Sequence, residues 1–357
     1  MTLEVAALQQ AWPLPSAPRP IVIIGGGGIV NDAHLPAYKL AGLPVAGVYD
    51  LDNQRARTLA EKWDIAAFET LGDAVSTPNA VFDLALPPSA HLKVMPELPD
   101  GACVLLQKPM GSTLGEASEI LQLARKKSLK AAVNFQLRFS PIILAIADVR
   151  RRGWLGDLID VDLHVNILTP WHLFPFLQGL PRIEIAVHSI HYLDMLRGLL
   201  GNPSGVHART MGHPKSDMAQ TRTSALLDFG DEIRTTMSVN HNHGFGRKFQ
   251  DATFKFEGTK GVAVAKMGVL LDYPNGEPDE LWIGQGEDQW TEVPLAGSWF
   301  PHAFIGTMSN LQRFAAGEDK DLVTSVEDAW HTMALVEAAF DSAARPATPL
   351  QSKPRSI

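Results

Sequence analysis

From Ile21 onward the chain alternates short apolar runs with amphipathic stretches. Ile21-Val22-Ile23-Ile24 reads as a buried strand, and further strands are predicted at 45–49, 81–86, 102–106 and 131–135. Between them, apolar positions recur at helical spacing near 31–41, 53–63, 89–97 and 113–127. Strands of continuous hydrophobicity that alternate with helices predict a doubly wound parallel sheet. Asp52 is placed to cap the helix at 53, and Thr113 with Glu116 forms a capping box for the helix that follows it.

After Pro141 the pattern changes. A helix near 141–152 leads into 158–165, where apolar and polar residues alternate. A second helix is predicted over 184–200, ended by Gly201-Asn202-Pro203. Strand-like segments then follow closely at 205–211, 222–229, 233–240, 251–257, 261–265, 268–272, 280–284 and 289–293. Short turns between them predict a large, mostly antiparallel open sheet. Helices over 302–316 and 325–344 close the chain, the latter with Thr324 or Ser325 as its cap.

The first strand breaks on Gly25-Gly26-Gly27-Gly28-Ile29-Val30 and a helix opens just beyond. Glycines there leave backbone N–H groups uncovered at a positive helix terminus, which makes a pyrophosphate cradle. Gly25 would form the tight turn and Gly27 would admit the phosphates. Val30 stands where glycine or alanine is usual. Asp50 ends the second strand and can accept both ribose hydroxyls of an adenosine while repelling a 2′-phosphate, which favours NAD over NADP. Arg55 and Arg57 lie further on, along the next helix.

The fold class is α/β. An N-terminal Rossmann dinucleotide-binding domain is expected over 21–139, and a C-terminal α/β domain for substrate and oligomer contacts over 140–345. Residues 1–20 form a proline-rich arm, which Pro13, Pro15, Pro18 and Pro20 keep out of any central sheet. Residues 346–357 are a tail. A net charge of −8 disfavours nucleic acid and anionic membranes as partners. No apolar run approaches the ~20 residues that span a bilayer. Cys103 is the single cysteine, inside an apolar run, so no internal disulfide forms and a cytoplasmic setting is expected.

Candidate chemistry gathers at the strand ends. Leu86-Pro87-Pro88-Ser89-Ala90-His91 follows one strand and Gln107-Lys108-Pro109 the next, both on the carboxyl edge where the cofactor would lie. His188-Ser189-Ile190-His191-Tyr192-Leu193-Asp194 falls in the predicted 184–200 helix. Glu184, His188 and His191 are spaced to share one face of it, a polar stripe toward substrate, and no metal site is assigned. Trp171-His172 and Arg182 precede that helix, Asn240-His241-Asn242-His243 ends a strand, and Trp299-Phe300-Pro301-His302 opens a terminal helix. Rings suit sugar C–H faces, and imidazole or amide suits hydroxyls.

At these residues the chain resembles the family of glucose–fructose oxidoreductase, inositol dehydrogenase and MocA. The matching pieces are Gly25 to Tyr38 (ending His34-Leu35-Pro36-Ala37-Tyr38), Pro87 to His91, Lys108-Pro109 and Ile190 to Asp194. The resemblance implies NAD(P)-dependent oxidation or reduction of a sugar or cyclitol hydroxyl by an oligomer, a homodimer or homotetramer. It places Lys108 and His191 on the catalytic lysine and histidine, with His188 as a helper. Gly25, Gly27, Gly28, Ile29, Val30, Asp50, Arg55, Leu86, Pro87, Pro88, His91, Gln107 and Lys108 are expected around the cofactor. Lys108, Asn134, Arg138, Trp171, His172, Arg182, Glu184, His188, His191 and His302 are expected around the substrate.

Two positions depart from the family pattern. Gln107 replaces the usual glutamate before the lysine, and Val187 the common aspartate four residues before the histidine. The expected activity is dehydrogenation of a polyol. The same cofactor and residue pair would also serve a redox-neutral glycoside-cleaving enzyme, and the missing acid leaves room for a silent sugar or dinucleotide sensor.

Overall fold

The computed structural model describes residues 4–174, 177–273 and 275–350. Its first sheet joins β1 (Ile21–Ile24), β2 (Val45–Tyr49), β3 (Ala66–Ala67), β4 (Val81–Leu84), β5 (Cys103–Leu106) and β6 (Lys130–Val133). All pairs are parallel, in the order β3-β2-β1-β4-β5-β6. Every residue of β1, β4 and β5 is buried, which explains their unbroken hydrophobicity. The helices α1 (Leu35–Leu40), α2 (Asn53–Trp63), α3 (Leu71–Val75), α4 (His91–Val94) and α5 (Leu114–Lys126) connect the strands. Strand order reverses between β1 and β4, which opens a ligand crevice at their carboxyl ends.

The caps follow the sequence. Asp52 accepts from the N–H groups of Gln54 and Arg55, and Thr113 from that of Glu116. The Glu116 carboxylate returns to the N–H of Ser112, one residue before the cap. β3 and α3 were not anticipated, because a two-residue strand and a five-residue helix carry too little periodicity to read.

After α6 (Pro141–Arg151) comes the second sheet. It comprises β7 (Leu158–Asn166), β8 (Gly205–Met211), β9 (Arg222–Asp228), β10 (Arg234–Asn240), β11 (Asp251–Gly258), β12 (Val262–Lys266), β13 (Glu280–Gly284) and β14 (Trp290–Glu292). The order is β14-β13-β12-β11-β7-β10-β9-β8, antiparallel except where β10 meets β7. Val161, Leu163 and Val165 point inward with Phe254 and Phe256, while Asp160, Asp162 and His164 point out. The inner face packs on α7 (Ile190–Leu200), where Tyr192 meets Phe254 edge-on at 5.3 Å. The segment 268–272 is not a strand. Gly268–Leu270 forms a 3-10 turn, and Gly268 lies so close to the Pro278 carbonyl that a side chain would not fit.

The chain then returns to the first sheet. α8 (His302–Ala316) sets Phe304, Met308 and Leu311 into one core with Ile21, Ile23 and Val30. α9 (Val326–Ala344), capped by Ser325, runs from α5 to β8 and so touches both sheets. The last helices thus cover the first sheet as well as the second. The arm lies along its own chain: Trp12 donates to Asp319 at 2.7 Å, Ser16 to Glu318, and Arg19 to the Asn79 and Ala80 carbonyls. Among the described residues, no helix is long and apolar enough to cross a membrane.

Candidate active site

The glycine turn has the geometry of a phosphate cradle. Gly25 sits at φ +105°, and a Cβ there would fall 2.5 Å from the Ala85 carbonyl oxygen, so only glycine fits. Nothing lies within 4 Å of the corresponding position at Gly27. The helix opens at Gly28 rather than Asn31, which brings its free N–H groups onto the glycines, and its turn Val30–His34 is π-wound. Ile29 is half-buried beside it. Val30 is fully buried and packs where a smaller residue is usual. Asp50 is held ready: Oδ2 accepts from Gly26 N–H at 2.7 Å and Oδ1 from Asp52 N–H at 2.8 Å. The half-exposed Arg55 stands 3.4 Å from the same carboxylate. These residues fit a dinucleotide, with Leu86, Pro87 and Pro88 at the rim of the crevice.

His91 is fully buried at the start of α4, and burial pushes its pKa down to about 4. Gln107 turns its carboxamide onto the backbone, Oε1 accepting from the Lys108 N–H at 2.9 Å.

Lys108 reaches across. Its Nζ donates to the Val187 carbonyl at 2.9 Å, so the end of β5 meets the helix that carries both histidines. Desolvation pulls the ammonium pKa down to about 8. His191 is 6% exposed, stacks edge-on to Trp299 at 5.3 Å and has no partner for Nδ1 among the described residues. Burial, then the Lys108 charge, hold its pKa well below the usual value. His188 is lowered in the same direction by burial, and then by His241, Lys108 and His191.

Glu184–Ser189 is π-wound rather than α-helical, and Glu184 is fully buried. Glu184 Oε1 accepts from the Ser189 hydroxyl at 2.6 Å and lies 3.4 Å from His241 Nε2. His241 Nδ1 pairs with Thr169 Oγ1 at 2.8 Å, and its ring stacks on His188 at 4.4 Å. Trp171 meets His188 and His241 edge-on at 5.3 and 5.7 Å. His241 and Trp299 are thus the members of their clusters that reach the histidine helix, which their sequence context alone does not distinguish.

Several expected substrate contacts are committed elsewhere. Arg138 forks onto Asp194 at 2.6 and 2.7 Å and also holds Asp328 at 2.7 Å, a buried ion-pair network that Arg197 joins. Asn134 is 1% exposed, its Oδ1 accepting from Thr307 and its Nδ2 standing 3.4 Å from His34 Nε2. Behind it, His34 Nδ1 and Tyr38 Oη both lie 2.7 Å from Asp83 Oδ2. That buried network went unread, although an acid inside the apolar run 81–86 was its signal. Arg182 pairs with Glu337 at 3.0 Å and stacks on Phe340. His302 is bonded within its own turn to Ser298, and His172 is exposed. Among the described residues, no three histidine, cysteine or acidic side chains converge to hold a metal.

With this geometry in view, the comparisons decide the family. Residues 19–135 match the oxidoreductase-family NAD-binding Rossmann fold of the Gfo/Idh/MocA group, and residues 153–350 match its C-terminal alpha/beta domain. The chain belongs to this oxidoreductase family. It is 24% identical to D-apiose dehydrogenase of Rhizobium rhizogenes, over 88% of this chain and 92% of that protein. It is 27% identical to trans-1,2-dihydrobenzene-1,2-diol dehydrogenase of Mus musculus, over 68% and 72%. Among solved structures, an oxidoreductase from Agrobacterium radiobacter in complex with NAD+, L-tartaric acid and magnesium superposes with a TM-score of 0.75. That likeness, at 21% identity over 92% of this chain and 97% of the other, is one of fold. The protein is a dehydrogenase with an NAD-binding domain.

Proposed function

We propose that the chain moves hydride between nicotinamide and a secondary hydroxyl of a sugar, sugar acid or cyclitol, with NAD preferred to NADP. The observation that supports this best is the Lys108–Val187 bond, which sets the lysine of the sheet edge against the helix of His188 and His191. Lys108 donates a hydrogen bond to the substrate oxygen, favouring its negative charge as the proton leaves. His191, kept neutral, accepts that proton, and His188 orients an adjoining group. The nicotinamide, when bound, supplies the hydride acceptor. Asp50 favours NAD because its carboxylate occupies the place a 2′-phosphate would need.

The exposed face of the eight-stranded sheet serves a homodimer or homotetramer, and the enzyme works in the cytoplasm on a small polyol. The experiment is a panel of sugars, sugar acids and inositols read as NADH absorbance, with NAD and NADP in parallel. Steady NADH formation from a polyol supports the reading. Aglycone release without NADH would replace it with redox-neutral cleavage, and nucleotide binding without turnover with a sensor.

A further inference from the structure

The cleft at Lys108 carries an unbalanced charge. Among the described residues Lys108 has no ion-pair partner, only the Val187 carbonyl. The residue before Lys108 is Gln107, whose amide faces the backbone, and the Val187 side chain packs against the cluster of Leu177, Ile183 and Met218. Glu184, the carboxylate behind the histidines, is buried: its Oε1 accepts from Ser189 and lies 3.4 Å from His241 Nε2, and its Oε2 has no partner among the described residues. Among the described residues, the Nδ1 atoms of His188 and His191 and the indole Nε1 of Trp171 have no partner.

An ammonium and an indole N–H can only donate. A substrate made of hydroxyls alone brings O–H protons that need acceptors as well. A carboxylate brings lone pairs only, and its charge balances a buried lysine that otherwise lacks a counter-ion.

We propose that the substrate carries a carboxylate near the hydroxyl that reacts, a sugar acid rather than a neutral sugar or cyclitol, with Lys108, His188 and Trp171 as its donors. This rests on the reading of the cleft as the substrate site of a dehydrogenase. Burial alone pulls Lys108 down to about 8. A carboxylate beside it restores the ammonium, so binding above that pH takes up a proton and weakens as pH rises.

The test is calorimetric titration of the NAD-loaded protein with matched pairs: gluconate against glucitol, glucuronate against glucose, and glucose 6-phosphate as a third arm. NADH formation is read separately. The acids should bind at least about tenfold tighter than their neutral partners, with the advantage shrinking from about pH 7 to about pH 9.5. Gln107→Glu places an acid beside Lys108 and should abolish the advantage. Equal affinity within the pairs, preference for the phosphate, failure of every acid to bind, or an undiminished advantage in Gln107→Glu would overturn the proposal. Acids that bind without NADH formation remove the dehydrogenase reading and leave the carboxylate subsite. NADH from neutral partners of equal affinity does the reverse.

Discussion

Lys108 Nζ is fastened to the carbonyl of Val187, one residue before His188 and four before His191. A carbonyl orients the ammonium without neutralising it. The lysine therefore has no counter-ion among the described residues, and burial depresses its pKa to about 8. The bond also ties the first sheet to the helix of the second unit, so proton handling depends on how the two are held together.

A bell-shaped pH profile is expected for kcat/KM of oxidation. The base must be neutral, and His191 is held below its ordinary value, so activity falls as pH drops through a limb below 6.5. The ammonium must be charged, so activity also falls as pH rises through about 8. Gln107→Glu should move the alkaline limb upward, because a neighbouring anion favours the charged lysine. A profile with no decline up to about pH 9 would contradict the Lys108 assignment, and one with no acid limb the His191 assignment.

Cofactor choice should follow Asp50. Its carboxylate, fixed by Gly26 and Asp52, meets a 2′-phosphate with repulsion and lost ribose bonds, a cost of about 2 kcal/mol or more. Arg55, 3.4 Å away, offsets part of it. Asp50→Ser frees Arg55 and should narrow the gap in kcat/KM between NAD and NADP. Equal efficiency in the unaltered enzyme would refute the assignment.

Much of this arrangement could be read from the residues. The glycine turn, Asp50, Lys108 and His191 sit at strand ends or on a helix whose period is plain, so their placement follows from local pattern. The π-winding at Glu184–Ser189 has no such signature: the sequence spaces Glu184, His188 and His191 as on a regular α-helix, and the turn that carries Glu184 and His188 winds more widely. Arg138, Asn134 and Arg182 were misread for another reason. A polar residue near a strand end looks alike whether its partner is a substrate or an acid more than 50 residues away, as Asp194 and Asp328 are for Arg138.

Arg138→Ala should leave Asp194, 1% exposed, without its main partner. A loss of about 3–5 kcal/mol in urea unfolding is expected, as for removal of one member of a buried pair. A loss below about 1 kcal/mol would show that the network contributes little.

Removing residues 1–19 deletes the bonds of Trp12, Ser16 and Arg19 to the chain's own surface. Thermal stability should fall while the oligomer, seen by sedimentation, keeps its mass. A drop to monomer would assign the arm to the subunit interface instead. A stable monomer in the intact protein would contradict assembly through the sheet.

The central claim is that Lys108 and His191 act as one proton-handling unit, and a double-mutant cycle on kcat/KM measures it most directly. Lys108→Ala and His191→Ala should each cost about 10²-fold or more. The double variant should be far less damaged than the product of the two, with NAD affinity intact throughout. Multiplicative losses, or near-normal turnover in His191→Ala, would contradict the pairing and move the base to His188 or to Lys108 alone.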